Sequence, residues 1–354
     1  MVPPATHNDA TPGERSSRVS DNGSPTHDSA ATSAASKMKP VSRVGDRIFS
    51  GVSSTIAVLL AILVLVILAF LVWHAVPALS DNSENFFTSR KWATGESPQE
   101  FGIAALLWTT LISSLLALLL AVPLAVGIAL FITQMATKKL AGPVAFLVDL
   151  LAAVPSIVYG LWGGIVLGSS AIENWLMKIN QTVLGWIPIW KPVAGWENPS
   201  GTVFLASQVL AIMILPIITA VSRDVMSQTP RDQVEAALAL GSTRWEVIKL
   251  AVLPHSKSGI ISGSMLGLGR ALGETLAVTL ILQTISPMEL SQGLNPSIFT
   301  GGETFASKIA RDFAEATNDP MALGALISAA LALFVITFIV NAAARLIAER
   351  GVKK

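Results

Sequence analysis

The hydrophobic pattern divides the chain into six long apolar stretches, about Ser53–Leu79, Phe101–Thr137, Val144–Leu167, Thr202–Val221, Gly259–Leu282 and Met321–Ile347. Each reaches the ~20 residues that a helix needs to cross the hydrocarbon core. This predicts an all-α polytopic membrane protein with six transmembrane helices. Phe101–Thr137 carries no charge and is too short for two crossings with a turn, so it reads as one tilted helix kinked at Pro123. In the third stretch Pro155 predicts a kink, with Ser156 placed to satisfy the carbonyl that the proline frees.

The polar segments between these stretches sort by charge. Lys and Arg number 15 in residues 37–47, 138–139, 222–258 and 345–354, against 6 in the alternate segments. That bias places both termini in the cytoplasm. Residues 1–42 are mostly Ser, Thr, Ala, Asp and Pro and read as a disordered cytoplasmic tail. A signal peptide is not expected, because the first apolar stretch is too long and too deep in the chain. Residues 43–101 supply the first transmembrane helix and an outside loop, and 102–350 the remaining spans. In the outside segment 168–201, Trp175, Trp186, Trp190 and Trp196 stand among Pro and Gly, which suits a segment lying at the membrane interface, with a docking surface for an external partner as the alternative.

Composition narrows the function classes. The chain is 52% hydrophobic and 13% charged, with mean hydropathy +0.61 and net charge +1, which leaves no basic patch for a polyanion. With no cysteine there is neither a disulfide nor a thiolate metal site, and His7, His27, His74 and His255 are far apart in sequence. No G-x-x-x-x-G-K-[ST] loop and no Ser-His-Asp or H-E-x-x-H constellation occurs, so neither nucleotide hydrolysis nor another enzymatic activity is expected of this chain. Transport is the remaining class. A secondary transporter driven by an ion gradient is the weaker form of it, because Glu274 and Asp149 are essentially the only acids within the spans.

Two stretches carry the candidate chemistry. The segment 222–258 reads as a helix-turn-helix: Thr229-Pro230 as a cap and first-turn proline, an apolar stripe through Val234, Ala237 and Leu238, and Gly241 as a left-handed cap. Thr243-Arg244-Trp245-Glu246 matches a capping box and opens a second helix that is expected to stop at Pro254. The stretch after it, Gly259–Leu282, holds Arg270 and Glu274 four residues apart, a spacing that brings them together on one helix face. Gly259, Gly263 and Gly267 form a repeated G-x-x-x-G that lets another helix approach closely. Ionised groups at such depth mark a protein interior or a polar path. Arg270 suits guidance of an oxyanion, with Glu274 competing for it to keep binding weak. The alternative is that the two residues form a buried salt bridge holding the helix in register.

Glu235-Ala236-Ala237, Gly241 six residues after Glu235, and Leu253-Pro254 resemble the EAA loop of ABC importer permeases, with Ala251 standing where the motif usually has isoleucine. Gly267 to Thr275, Pro155 to Gly160 and Phe305 to Ala310 resemble more specifically the PstC family of bacterial phosphate-importer permeases. The resemblance implies a type I ABC importer permease domain over 102–350, whose coupling loop (222–258) docks through Glu235, Ala236, Ala237 and Gly241 on a cytoplasmic ATPase. It also implies a homologous second permease (PstA-like), an ATPase dimer (PstB-like) that binds ATP-Mg, and an external phosphate-binding protein (PstS-like), with no cofactor in this chain. A permease for sulfate or molybdate would share the coupling loop.

Overall fold

The computed structural model describes residues 44–95, 98–285 and 296–352, with side chains over 45–346 of that range. The expected disordered tail and the centre of the last outside segment, 286–295, lie outside the described residues. The chain divides into a unit ending at Ile62 and a larger unit from Leu63 onward. Helix α1 (Val44–Asp81) runs through that boundary, and Pro77, expected to help end it, sits inside its last turns.

In the larger unit an antiparallel pair, β1 (Trp92–Ala93) and β2 (Glu100–Phe101), precedes α2 (Ala104–Leu130), which passes through Pro123 unbroken and widens into a π turn at Phe131–Met135. Next come α3 (Lys138–Ala153), α4 (Ser156–Leu161) with a π turn at Trp162–Leu167, and α5 (Ala171–Leu184). Helix α6 (Val203–Ser227) leads to the short α7 (Arg231–Ala239) and α8 (Arg244–Val247). The remainder is α9 (Leu253–Leu272), α10 (Leu276–Ile281), α11 (Phe305–Ala316) and α12 (Pro320–Val352).

Helix α6 is the centre, with 72% of its most apolar stretch buried in protein. Lipid is as apolar as leucine, so helices in a membrane are joined by close packing and not by the hydrophobic effect. Small residues supply that packing against α6. Ala117, Ala121, Ala125 and Ala129 of α2 recur every fourth residue and are fully buried. On α9, a Cβ added at Gly263 or Gly267 would stand 2.9 Å from Val221 or Ile218 of α6, and one at Gly259 would overlap Val225.

Among the described residues four helices are long and apolar enough to span a membrane: α1, α2, α6 and α12. The expected third span is a bent pair instead of one kinked helix, with α3 and α4 meeting at 91° across Val154-Pro155. Ser156 does not satisfy the bend. The hydroxyl of Tyr159, the chain's one tyrosine, donates to the Leu151 carbonyl at 2.7 Å. The expected fifth span is also divided, because α9 ends at Leu272 and α10 begins at Leu276.

Helix α5 lies between spans and is held to α6 by a buried polar contact: Gln208 Nε2 donates to Glu173 Oε1. Glu173 is 1% exposed, and burial pushes its carboxyl above the ordinary range, opposed by the Gln208 hydrogen bond. The folded state therefore keeps the proton to higher pH than the unfolded chain does, and stability falls as pH rises through that interval. Glu173→Gln removes the titration. The thermal midpoint of the variant relative to wild type should rise as pH is raised above the ordinary glutamate range, as checked by thermal unfolding in detergent; a constant difference would refute this.

Candidate functional site

The first part of the site is the segment 228–252. Thr229 does not cap α7: its hydroxyl donates back to the Met226 carbonyl at 2.9 Å, and Pro230 itself is the residue before the helix. Gly241 ends the turn at φ +83°, the left-handed region. Thr243 then opens α8 with a complete capping box. Its backbone N–H and its hydroxyl both donate to Glu246 Oε2, at 2.7 and 2.8 Å, and the Glu246 N–H donates to Thr243 Oγ1 at 3.4 Å. These bonds hold the Glu246 carboxyl below its ordinary range.

No residue of α7 is buried: Glu235 and Ala236 are exposed and Ala237 is half-buried. Around them Leu238, Leu240, Trp245 and Leu250 also present apolar side chains to the outside, with Leu240 88% exposed. The ammonium of Lys249 lies 5.1 Å from the Trp245 ring centre. A projecting helix with apolar exposure beside charged groups is the composition of a protein-docking surface.

The helix begun by Thr243 does not stop at Pro254. It passes through a π turn, Ile248–Val252, and continues as α9, with Pro254 in the opening turn of that helix. Proline lacks an N–H and is tolerated where a helix begins, and the π turn supplies that beginning inside a continuous helical path. Residues 244–272 thus form one helical rod from the projecting segment to Arg270.

The second part of the site lies at the end of that rod. The helix stops at Leu272, so Arg270 and Glu274 do not share a helical face as their spacing predicts. The Glu274 carboxylate is buried and accepts from the Ala277 N–H at 3.2 Å, capping α10. Arg270 is exposed and, among the described residues, makes no hydrogen bond or ion pair. The buried salt bridge expected as the alternative is therefore absent from this arrangement of the described residues. Sequence reading missed Tyr159 and the continuous rod. The signals were a lone tyrosine four residues after Pro155, and an apolar register running through Pro254.

Comparison with known proteins places this geometry. Residues 121–352 match the family described as binding-protein-dependent transport system inner membrane component. The chain is 48% identical to the phosphate transport system permease proteins PstC 2 of Mycobacterium tuberculosis and Mycobacterium bovis, over 88% of this chain and 94% of each relative. The chain belongs to the PstC permease family. It is also 38% identical to the PstC permease of Xylella fastidiosa (strain 9a5c), over 85% of this chain and 90% of that one. The fold is that of type I ABC importer permeases: a bacterial alginate ABC transporter structure matches with TM-score 0.56 and 17% identity, over 88% of this chain and 99% of that chain.

Two outcomes follow from these geometries. Glu274→Ala removes the acceptor for the Ala277 N–H and should cost about 1 kcal/mol, whereas Glu274→Gln keeps a carbonyl oxygen there and should cost less; thermal unfolding and exchange of the Ala277 amide measure both. Gly241→Ala meets nothing within 4 Å, so its expected destabilisation of about 1 kcal/mol comes from the left-handed backbone alone. Exchange of amides 238–246 would test this, and protection equal to wild type would refute it.

Proposed function

We propose that this chain is the permease subunit of an ATP-driven importer that carries inorganic phosphate inward across the cytoplasmic membrane by alternating access. The observation that carries the reading is the unbroken helical path from Arg244, in the projecting segment, to Arg270, in a chain whose relatives are named as phosphate-transport permeases. The permease domain is 102–350, with both termini cytoplasmic and 222–258 facing the ATPase.

In this reading a partner ATPase dimer binds ATP-Mg and docks on Glu235, Ala236, Ala237 and Gly241, with the exposed Leu238 and Trp245 beside them. Closure of the ATPase displaces that segment, and the rod passes the displacement to residues 273–275. A helix transmits motion along its axis, and a break at its end converts it into a change of angle. Arg270 contacts the anion, because a planar, permanently charged guanidinium without a competing carboxylate is suited to phosphate. Glu274 shapes the path by fixing where the helix breaks. A homologous second permease completes the path, and an external phosphate-binding protein delivers the substrate.

Reconstitution with a second permease, ATPase and binding protein tests the proposal. ATP-dependent uptake is expected for phosphate and not for sulfate or molybdate, and uptake that follows an ion gradient without ATP would overturn it. Arg270→Gln should lower phosphate uptake about tenfold or more in a complex that still assembles.

A further inference from the structure

At the end of the bundle remote from α7 the structure holds a cavity of about 520 Å³. Its walls come from the β1–β2 pair, the start of α2, the segment 193–203 and residues 296–308. Backbone hydrogen bonds tie these walls together: Val203 N–H donates to Thr300 O at 2.9 Å, Gly302 N–H to Gln283 O at 2.9 Å and Ile298 N–H to Ile189 O at 2.9 Å. Trp92, Trp108, Trp196 and Thr109 line it together with Arg90, Glu303 and Lys308.

The charges of this wall are unequally matched. Glu303 accepts from Arg311 Nη1 at 2.7 Å and lies 3.4 Å from Lys308 Nζ, so two cations hold one carboxylate. Lys308 also pairs with Asp312 at 2.8 Å and lies 5.3 Å from the centre of the Trp92 ring. Two carboxylates of the same segment, Glu84 and Glu100, are taken by Lys91 at 3.1 and 2.7 Å. Arg90 is half-buried and, among the described residues, makes no ion pair or hydrogen bond. A partly desolvated guanidinium without a counter-ion, facing a walled space beside indole and hydroxyl donors, is a receptor for an anion.

We infer that this cavity is an entry vestibule that takes up a phosphate oxyanion through Arg90 before the anion reaches Arg270. The inference rests on the phosphate-importer reading and adds a second site to it. At about 30 Å³ of liquid volume per water, the cavity accommodates the anion with much of its hydration, which suits transit over tight capture. Arg311 connects the vestibule to the transport path. It joins Glu303 of the cavity wall to the Thr284 hydroxyl and, at 3.3 Å, to the Thr279 carbonyl of α10.

The test uses the complete importer in proteoliposomes, with radiolabelled inorganic phosphate and with ATPase activity measured in parallel. Arg90→Gln should lower phosphate uptake per ATP hydrolysed about tenfold, while the stimulation of ATPase by phosphate-loaded binding protein stays within about twofold of wild type; Arg90→Lys should recover most of the uptake. Wild-type uptake by Arg90→Gln would overturn the inference. So would a parallel loss of ATPase stimulation, which would make Arg90 a binding-protein contact. A defect seen only in vesicles containing anionic lipid would overturn it as well, assigning Arg90 to a lipid headgroup phosphate. Absence of phosphate import by the wild-type complex would refute the importer reading itself, before any variant is compared.

Discussion

The constraint on which the rest of the structure depends is the close approach of α2 and α9 to α6. Apolar surface is equally satisfied by lipid or by protein, so composition alone gives no reason for these helices to meet. Removing side-chain volume does. The alanines at 117, 121, 125 and 129 and the glycines at 259, 263 and 267 bring backbones near enough for dispersion contacts and for complementary fit of Val221, Val225 and Ile218. Because α9 is seated in this way from Gly259 to Gly267, its packed helical path is first interrupted at Gly273. The break at 273–275 is therefore the first point at which displacement can become a change of shape.

The same logic accounts for the π turn at Ile248–Val252. A strict α-helix through Pro254 would clash with the carbonyl four residues earlier. A break there would separate the projecting segment from the packed helix and dissipate any force on it. The wider turn lets the helical path continue past the proline, so the capping box at Thr243 and the glycine stripe at 259–267 belong to one rigid element. The polar groups at the other end are organised by the same economy. Arg311 satisfies two groups of the segment 279–284 and one carboxylate of the cavity wall, so the short α10 is fixed to α11 and not left hanging from the break.

Much of this was legible in the sequence because it is local. The capping box needs only Thr243 and Glu246, the left-handed turn only Gly241, and the glycine stripe only a four-residue repeat. Span positions follow from apolar length, which is why α1, α2, α6 and α12 lie where the hydrophobic pattern puts them. What could not be read is decided by distant partners. Pro155 announces a disturbance, but a 91° turn in place of a kink requires the Tyr159 hydroxyl to reach Leu151 and α4 to pack on α10, with Gly160 against Ala277. The i, i+4 spacing of Arg270 and Glu274 predicts a pair only if the helix continues, and the Glu274 carboxylate instead finds the free N–H of Ala277, a donor that exists because the helix ends.

Charge pairing in the larger unit is selective. Arg223 reaches Asp149 at 3.5 Å, Lys91 takes Glu84 and Glu100, and Lys308 and Arg311 share Glu303. These four cations find carboxylates, whereas others among the described residues, such as Lys138, Lys178, Arg231 and Arg244, form no ion pair. Arg270 had one within four residues, yet Glu274 is committed to a backbone N–H and the guanidinium is left exposed without an ion pair among the described residues. An arginine neutralised by its own glutamate would present no field to an anion, and a fully buried, unpaired one would bind too tightly for release. An exposed arginine at the hinge of a packed helix, its would-be partner occupied by the hinge itself, meets both conditions. In the proposed importer it would attract an anion when the segment is open to one side and lose that geometry when the break at 273–275 turns.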